Sequence, residues 1–555
     1  MNIATLIRKH AKKCPHQRAV IFPVGYDVGG RRAYAHYTFK QLEQASDLLA
    51  KKFSHDGIQK GSKVLLFVRP SLEFSLVTFS LFKIGAVVIF IDPGMGRKNL
   101  FECIAKVAPD VLIAEPIVHL LAMLACKKLG AFKKCYSTAR FHFGRIRSLL
   151  KMLIKSENFV EPFPIEPVSE EDLAAIVFTS GGTGKPKGVL YQHGVFHRQV
   201  ELLKSMFRYS ENDIDLACFP LFSMTSMAMG VTSCLPDMNA AEPAKASPAK
   251  LLQNIQDQGV TTAAGSPAIW EKVLAYCQEK KIELSSLRAL IMFGAPVAPR
   301  LIEGFAPLLP HGQVYTPYGA TECLPVSLVS SGELLAFGIH KSRLGWGTLV
   351  GKGVEGTEIK IIEASEKPIL NLNQAKEIAK FCVGEVIVKG QQATKGYFDH
   401  MRADQLSKIV DAEGGFWHRM GDIGYLDDQD NLWFCGRKDH LVSGATEDWY
   451  SVPCEAIFNK HPKVRRSALI GLVMANQEHN PCIVIERFDR QTSLSIKERN
   501  QFRSELLALA APFAHTKNIE TFFLFENFPV DRRHNIKIDR LMLRDYFSSR
   551  TQENL

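Results

Sequence analysis

Short runs of apolar residues alternate with longer helical stretches through the first part of the chain. One unit predicts a strand at 64–68, a helix at 71–84 and a strand at 86–91, followed by a turn of Asp, Pro and Gly. Two strands joined by a helix in this way form a parallel crossover, which builds sheets covered on both faces. Comparable strands are predicted at 111–114, 174–178 and 289–293. The pattern predicts an α/β fold.

The pattern changes after residue 351. Strands predicted at 358–362, 384–388 and 431–434 follow one another with few helices between them, which indicates a β-rich subdomain. A polar break follows at 436–439. Beyond it, helices are predicted at 453–461, 497–509 and 538–547, and strands at 467–473 and 521–525. We therefore expect a large domain at 1–436 and a small α+β domain at 437–555.

Composition narrows the class of protein. Hydrophobic residues make up 46% of the 555 residues and charged residues 23%, which is ordinary for a globular protein. The net charge of +11 favours anionic partners, and nine Lys or Arg are concentrated in 127–155, before the first acid at Glu157. The twelve cysteines include no C-x-x-C pair, so structural zinc and a disulfide framework are not expected. We expect a cytoplasmic protein without a signal peptide or a membrane-spanning segment.

A glycine-rich loop follows the predicted strand at 174–178. It consists of Thr179, Ser180, Gly181, Gly182, Thr183, Gly184, Lys185, Pro186, Lys187 and Gly188. Glycines let a backbone approach an anion closely, while hydroxyls and lysines add donors and positive charge. The P-loop pattern does not fit, because Pro186 follows the lysine, and the dinucleotide pattern fails at Lys187. The loop predicts phosphate binding rather than a plain surface turn.

This loop resembles the signature of the acyl-adenylate-forming superfamily, which includes acyl-CoA synthetases, firefly-type luciferases and peptide-synthetase adenylation domains. The resemblance extends over nearly the whole chain, in the family's order. It implies that 1–436 is an AMP-binding adenylation domain and 437–555 a C-terminal lid domain. One position departs from the family, because Gly182 stands where Ser or Thr is usual. That change removes one phosphate-facing hydroxyl.

Two further motifs resemble the family's adenine and phosphate contacts. They are Gly294, Ala295 and Pro296, which resemble the loop beside the adenine, and Tyr318, Gly319, Ala320, Thr321 and Glu322, which match its Y-G-x-T-E motif. In the family the tyrosine stacks on adenine, the threonine contacts the α-phosphate and the glutamate helps to hold Mg²⁺. A hard divalent cation prefers carboxylate and phosphate oxygens. The resemblance implies ATP and Mg²⁺ as cofactors, with Thr321 and Glu322 among the catalytic residues.

The later motifs imply ribose contacts, a hinge and a catalytic lysine. By resemblance, Asp422 accepts the ribose hydroxyls and Arg437 adds a second ribose contact. Asp439 stands at the family's hinge, about which the small domain rotates between two poses. Lys537 matches the invariant C-terminal lysine, which neutralises charge at the reacting centre. A conserved turn that we expect to be mainly structural is matched by Gly384, Glu385, Gly390, Gly396 and Tyr397.

Segments outside the ATP signature resemble the bacterial olefin-biosynthesis β-lactone synthetases, formerly grouped with fatty acid–CoA ligases. They lie at 219–222, 236–238, 316–326, 432–435, 453–458 and 528–535. This resemblance implies that a fatty acid, in particular a 3-hydroxy fatty acid, is activated as acyl-AMP with release of pyrophosphate. Closure to a β-lactone would then release AMP.

Two alternatives stay open. The first is a fatty acid–CoA ligase, although the Lys-x-x-Gly stretch that typical CoA ligases carry after the hinge is replaced at 440–448 by His-Leu-Val-Ser-Gly-Ala-Thr-Glu-Asp. The loop is acidic, so CoA is possible as a cofactor but not favoured. The second is a catalytically silent homologue that binds acyl groups or nucleotide, for which Gly182 is the support.

The basic stretch is separate evidence about partners. Within 141–155, apolar and basic residues interleave, in a pattern able to lie on anionic lipid at the inner membrane face. The apolar residues are Phe141, Phe143, Ile146, Leu149, Leu150, Leu153 and Ile154, and the basic residues are Arg145, Arg147, Lys151 and Lys155. The alternative is an ordinary surface helix whose apolar side faces the core. No nucleic-acid-binding motif accompanies the stretch, so a nucleic-acid partner is not expected.

Overall fold

The structure is a computed structural model. It describes residues 1–124, 132–139, 144–154, 161–179, 186–473, 479–489, 494–531, 537–550 and 555. Most of the glycine loop, Ser180 to Lys185, lies outside the described residues. So do Phe141, Phe143 and Lys155 of the basic stretch.

Strands and helices alternate up to residue 192. The strands are β1 (Arg18–Tyr26), β2 (Arg32–Thr38), β3 (Lys63–Phe67), β4 (Val87–Ile91), β5 (Val111–Ala114), β6 (Lys134–Ser137), β7 (Ile146–Ser148), β8 (Leu173–Thr179) and β9 (Lys187–Gln192). The helices are α1 (Ala4–Lys13), α2 (Phe39–His55), α3 (Leu72–Ile84), α4 (Arg97–Val107), α5 (Pro116–Leu124) and α6 (Leu149–Ile154). The predicted crossover is confirmed as β3, α3 and β4.

The next part, up to residue 353, continues the alternation. Its strands are β10 (Ile214–Ala217), β11 (Thr232–Cys234), β12 (Thr262–Gly265), β13 (Ala289–Met292), β14 (Gln313–Ala320), β15 (Cys323–Ser330) and β16 (Thr348–Gly353). Its helices are α7 (His193–Met206), α8 (Pro220–Met229), α9 (Pro248–Gln258), α10 (Pro267–Lys280), α11 (Pro299–Phe305), α12 (Ser331–Glu333) and α13 (Ile339–Arg343). A π-helical turn, Leu334–Gly338, joins the last two helices.

The remainder of the chain is richer in strands. These are β17 (Glu358–Ile362), β18 (Gly384–Lys389), β19 (Lys408–Val410), β20 (Phe416–Leu426), β21 (Leu432–Arg437), β22 (Val442–Ser443), β23 (Asp448–Trp449), β24 (Val464–Val473), β25 (His479–Arg487) and β26 (Thr521–Leu524). The helices are α14 (Met401–Ser407), α15 (Ser451–Phe458), α16 (Ile496–Ala510) and α17 (Arg540–Ser548).

A seven-stranded sheet is formed in the order β7-β6-β5-β3-β4-β8-β9, parallel except for the last pair. Apolar side chains cover both of its faces. Helices α2, α3 and α6 contribute to one apolar cluster, and α4 and α5 pack into a second cluster. The glycine loop connects β8 to β9 at one edge of this sheet.

A larger mixed sheet follows the order β17-β18-β20-β21-β16-β15-β14-β13-β12-β10-β11-β1-β2, and β19 pairs with β20 beside it. The strands from β10 to β14 are parallel, whereas β14 to β18 pair antiparallel. The β-rich part expected after residue 351 is therefore present as an extension of this sheet. Both sheets together confirm the predicted α/β class with a β-rich portion.

The C-terminal part carries its own three-stranded sheet, β24-β25-β26. One face packs with α15 and α16 and the other with α17, so the unit has two small apolar clusters. The hairpin of β22 and β23 follows β21 in the chain, and its Val442 and Trp449 belong to the first of these clusters. This arrangement is the α+β unit expected at the C-terminus, while the boundary at residue 437 stays a prediction.

The described part of the basic stretch, 144–154, is divided between a strand and a short helix. Residues Ile146–Ser148 form the edge strand β7, and only Leu149–Ile154 are helical. Leu149 is buried and Leu153 packs against the same apolar cluster, whereas Leu150 and Ile154 are exposed. Only part of the apolar side of this short helix therefore faces the core. The strand at Ile146–Ser148 was not predicted because a short apolar run does not distinguish a strand from a helix by its period.

No helix in the described part of the chain is long and apolar enough to cross a bilayer. The cysteines among the described residues are free, and most are buried, including Cys218 and Cys323.

Candidate functional site

Strands β14, β20 and β21 bring three predicted nucleotide contacts together. Asp422 and Arg437 are paired across β20 and β21, and Arg437 Nη1 donates to Asp422 Oδ1 at 2.7 Å. The Tyr318 hydroxyl, 104 residues away in sequence, donates to Asp422 Oδ2 at 2.5 Å. The carboxylate of Asp422 is buried, while Arg437 stays nearly half exposed. This cluster joins an aromatic ring, an acceptor and a cation in one place.

Charge compensates the buried carboxylate. Burial raises the pKa of Asp422, and the positive charges of Arg437 and, more weakly, Lys537 oppose that rise. Asp422 in turn raises the pKa of Arg437, and burial together with Asp422 raises the pKa of Tyr318 well above its ordinary value. The contribution of Lys537 shows that the C-terminal unit places this lysine within electrostatic range of the predicted ribose contact.

Lys537 is held by its backbone rather than by burial. Its N–H donates to Asp531 Oδ1 at 2.8 Å, and the Asp531 N–H donates to the Lys537 carbonyl at 3.0 Å. The side chain is exposed. Asp439 is also exposed and lies in a short turn, Lys438–His440, immediately after β21.

Glu322 is fixed by a tyrosine that the sequence marked as mainly structural. The Tyr397 hydroxyl donates to Glu322 Oε1 at 2.7 Å. The Thr394 N–H donates to the Glu322 carbonyl at 2.8 Å, and the Tyr191 hydroxyl donates to the Thr321 carbonyl at 2.7 Å. Thr321 is therefore held through its carbonyl oxygen, and Glu322 is held through both its carbonyl oxygen and its carboxylate.

The residues around Glu322 fit Mg²⁺ that is shared with phosphate. Tyr397 holds only Oε1, which leaves the carboxylate with unused lone pairs. In the part of the chain that the structure describes, no group of three or more His, Cys, Asp and Glu side chains could enclose a metal ion. Mg²⁺ is commonly held by one or two carboxylates with substrate phosphates and water, rather than by a closed protein cage.

A partly buried lysine, Lys408, lies near Glu322 and was not predicted from the sequence. Lys408 Nζ donates to the Thr394 carbonyl and lies 4.6 Å from the centre of the Phe416 ring. Burial lowers the pKa of Lys408 to about 8, and the nearby negative charge of Glu322 opposes part of this shift. Nothing in the sequence around residue 408 distinguishes this lysine from a surface charge.

The two ends of the glycine loop are anchored beside Glu322. Thr179 ends β8, and Lys187 begins β9 with its Nζ 5.2 Å from the centre of the Tyr397 ring. The Phe398 N–H donates to the Gly188 carbonyl at 2.7 Å. A Cβ on Gly188 would lie 2.9 Å from the Ile176 and Phe178 side chains, so only glycine fits at this position. The loop thus leaves and re-enters the sheet next to Tyr397.

The predicted adenine loop follows the end of β13. Gly294 has φ of +87°, a left-handed conformation that favours glycine over other residues. Ala295 and Pro296 continue this turn out of the parallel strands. A turn at the carboxyl ends of parallel strands is the usual place for a ligand in an α/β sheet. Gly319 and Ala320 complete β14 beside Tyr318.

A small apolar pocket, with about 20 Å³ of internal space, adjoins these motifs, and no pattern in the sequence indicated it. Three lining residues are sequence neighbours of the nucleotide motifs, namely Phe293, Pro317 and Leu324. The other lining residues are Leu203, Phe207, Tyr209, Asp215, Phe222, Thr225, Ser226, Met229, Ala264, Ile291 and Pro325. The pocket is small in this structure, and its lining is almost entirely apolar.

One wall of the pocket carries a buried carboxylate. Asp215 accepts from Ser226 Oγ at 2.7 Å, from Thr262 Oγ1 at 2.7 Å and from the Tyr209 hydroxyl at 3.2 Å. Burial raises the pKa of Asp215 despite these three donors. The cluster joins β10, β12 and α8 behind a lining that is almost entirely apolar.

Comparison with known proteins identifies the family. The sequence model of the family described as AMP-binding enzyme matches residues 7–398, well over half of the chain. The chain belongs to the AMP-binding enzyme family. This AMP-binding enzyme is an adenylate-forming ligase. It is 36% identical over 545 residues to the olefin beta-lactone synthetase of Xanthomonas campestris pv. campestris. The matched region is 97% of this chain and 96% of that protein.

Solved structures agree on the fold. The amide bond synthetase McbA from Marinactinospora thermotolerans superposes with a TM-score of 0.78 at 20% identity, covering 98% of this chain and 99% of that one. A second match is the O-succinylbenzoate coenzyme A synthetase MenE from Bacillus subtilis, in complex with ATP and magnesium. Its TM-score is 0.73 at 20% identity, and the match covers 97% of this chain and 99% of that one. The α/β architecture with a small C-terminal unit is therefore shared with these enzymes.

Proposed function

We propose that this ligase activates a 3-hydroxy fatty acid as acyl-AMP and then closes the adenylate to a β-lactone. The observation that carries the first step is the cluster of Tyr318, Asp422 and Arg437. A small apolar pocket lined by Pro317 and Leu324, which are sequence neighbours of the nucleotide motif, supports an acyl substrate. The second step is supported by the likeness to the olefin beta-lactone synthetase, which extends over 97% of this chain.

ATP is the nucleotide substrate in this proposal. Tyr318 lies against the adenine, together with Gly294, Ala295 and Pro296 at the end of β13. Asp422 accepts the ribose hydroxyls, and Arg437 both holds Asp422 and adds a ribose contact. The glycine loop, from Thr179 to Lys187, takes the β- and γ-phosphates. Support comes from the shared position of Tyr318, Asp422 and Arg437 in one cluster.

Glu322 is the proposed protein ligand for Mg²⁺. Tyr397 orients its carboxylate through Oε1, and the ATP phosphates and water complete the coordination. When bound, the ion supplies positive charge to the phosphate oxygens. The complex of MenE with ATP and magnesium supports this assignment.

In the first step, a carboxylate oxygen of the acid attacks the α-phosphorus of ATP, and the bond to pyrophosphate breaks. Two anions must meet, so the protein's task is to position them and to stabilise developing negative charge. Thr321 contacts the α-phosphate, and the Lys537 ammonium group lies at the reacting centre. The electrostatic influence of Lys537 on Asp422 supports that placement.

In the second step, the 3-hydroxyl oxygen attacks the acyl carbon of the adenylate. The new C–O bond closes a four-membered ring, the bond between the acyl carbon and the AMP oxygen breaks, and the hydroxyl proton is released. Holding the hydroxyl in place makes the reaction intramolecular, an advantage of roughly 7–11 kcal/mol when the geometry is right. No external thiol is required.

The loop after the hinge fits CoA poorly. The hairpin of β22 and β23 presents Asp448 to solvent, and Glu447 accepts from Asn518 Nδ2 at 2.6 Å. Two carboxylates at this turn repel the phosphates of CoA. Rotation about Asp439 is proposed to exchange the pose that makes the adenylate for the pose that consumes it.

The test is a product analysis with four reaction mixtures. The purified ligase receives ATP and Mg²⁺ with a 3-hydroxy fatty acid or with the same acid lacking the hydroxyl, each with and without CoA. We expect β-lactone, AMP and pyrophosphate from the hydroxy acid alone, with no dependence on CoA. Mass spectrometry identifies the acyl product.

Two results would contradict the proposal. Rapid formation of acyl-CoA from the plain acid assigns the protein to the fatty acid–CoA ligases. Absence of acid-dependent pyrophosphate exchange with either acid makes it a silent homologue. Lys537→Ala serves as the inactive control, and Lys517→Ala, an exposed lysine of the same C-terminal unit, as its matched active control.

A further inference from the structure

Helix α5 presents apolar side chains on its outer side. Ile117, Leu120, Leu121 and Leu124 follow the spacing i, i+3, i+4 and i+7, which places them on one face of a helix. Their exposed fractions range from 54% to 79%. Soluble proteins seldom leave a contiguous apolar patch of this kind uncovered unless it meets a partner.

The inner side of α5 is already occupied. Val118 and Ala122 pack against the apolar cluster of the seven-stranded sheet, and buried His119 shares a hydrogen bond with the Tyr136 carbonyl through Nε2 at 2.9 Å. The helix is therefore anchored to the fold by one face. Leu120, Leu121 and Leu124 on the outer face are not needed for that packing.

The charge around the helix indicates what covers its outer face. Between Glu115 and Glu157 the sequence contains no acidic residue, whereas it contains nine Lys or Arg. Two of the nine, Lys127 and Lys128, follow α5 closely in the sequence. Helix α4, which packs into the same cluster as α5, exposes Arg97, Lys98 and Lys106, against one exposed acid, Glu102. Among the described residues, the exposed charges of the helix that shares a cluster with α5 are therefore mainly basic.

We propose that the outer face of α5 docks on an anionic lipid surface. The apolar stripe enters the boundary between headgroups and acyl chains, and the exposed Arg97, Lys98 and Lys106 of α4 face the anionic headgroups. This surface is distinct from the basic stretch at 141–155, which lies later in the chain and whose described helix buries Leu149 and packs Leu153 against the core. The proposal does not depend on the proposed reaction.

The test is vesicle co-sedimentation of the full chain without substrate. Vesicles are made of phosphatidylcholine alone or of phosphatidylcholine mixed with phosphatidylglycerol. We expect binding to the anionic vesicles only. Leu120→Glu combined with Leu121→Glu lowers the partition coefficient by at least about tenfold, because each leucine loses its burial in lipid. Lys98→Gln with Lys106→Gln lowers it by about 10- to 30-fold on anionic vesicles.

A matched control adds the same two charges elsewhere. Phe488 and Ile496 are 60% and 80% exposed in the C-terminal unit, and their replacement by glutamate leaves vesicle binding unchanged. Equal thermal stability of all variants shows that folding is intact. Unchanged binding of the leucine variant, or equal loss in the control, overturns the proposal. So does a dimer, detected by light scattering, that the leucine substitutions abolish while vesicles do not bind.

Discussion

Replacement of Asp422 by asparagine keeps the size of the side chain and removes its charge. In the structure, Asp422 accepts from Arg437 at 2.7 Å and from Tyr318 at 2.5 Å, and each oxygen retains a lone pair for a ribose hydroxyl. A hydrogen bond to a charged group contributes about 1.5–3 kcal/mol. Since 1.4 kcal/mol is a factor of ten, the loss of one such bond weakens ATP binding by about 10- to 150-fold.

The assay compares ATP with 2′,3′-dideoxy-ATP by titration calorimetry, on the wild type and on Asp422→Asn. This forms a double-mutant cycle in which the second change is made in the ligand. We expect the wild type to prefer ATP by about tenfold or more, and the variant to bind both nucleotides nearly equally, because the same contact is lost in either case.

Asp427→Asn is the matched control, since Asp427 is a buried carboxylate at the turn between β20 and β21. It accepts from Asn431 and Trp433 and faces no predicted ribose contact. This control loses stability but keeps the preference for ATP. If Asp422→Asn also keeps the full preference of the wild type, the ribose assignment is refuted.

Three further predictions concern the catalytic lysine, the metal site and the pH dependence of folding. Lys537→Ala lowers acid-dependent pyrophosphate exchange by about 100- to 1000-fold while ATP still binds by calorimetry, and near-normal exchange would defeat its catalytic role. Tyr397→Phe raises the Mg²⁺ concentration needed for half-maximal activity by about 10- to 100-fold, because the hydroxyl that orients Glu322 is lost. An equal shift in the control variant Tyr276→Phe would contradict this role of Tyr397. Burial lowers the pKa of His193 to about 4, whereas its ordinary value is about 6.5. The unfolded chain therefore binds more protons than the folded chain as the pH falls below about 6.5. We expect the free energy of unfolding to fall by about 2 kcal/mol between pH 7.5 and pH 5. Urea denaturation of the wild type and His193→Gln measures this, and identical pH dependence of the two would refute it.

Elements with strong local patterns could be predicted closely from the sequence. The helix expected at 71–84 is Leu72–Ile84, with Ser71 as its N-cap and Gly85 in the left-handed conformation at its end. The strands at 111–114 and 358–362 have the expected bounds. These segments carry capping residues or continuous apolar runs, which act locally and can be read from a short stretch of chain.

Long-range pairing could not be predicted in the same way. The β-rich strands join the larger sheet through β15 and β16, and no local pattern reveals that partner. The hairpin of β1 and β2 was missed as well, although β1 continues the same sheet by pairing with β11. Pairing of this kind depends on contacts between segments that are distant in the chain.

The candidate site shows the same division. Family order along the chain located Tyr318, Asp422 and Arg437, and the structure brings these three together. The contact of Tyr397 with Glu322 spans 75 residues, and Lys408 owes its low pKa to burial. Both properties arise only when the chain folds, so residue type and spacing carry no signal for them.

The most direct test of the proposed reaction follows the oxygen atoms of the acid. A 3-hydroxy fatty acid with both carboxyl oxygens labelled as ¹⁸O is converted with ATP and Mg²⁺, and the products are analysed by mass spectrometry. If the carboxylate is adenylated and the 3-hydroxyl then displaces AMP, one ¹⁸O appears in AMP and one in the lactone carbonyl. A lactone that retains both labels, with unlabelled AMP, would show that the hydroxyl and not the carboxylate is activated, and would contradict acyl-adenylate formation.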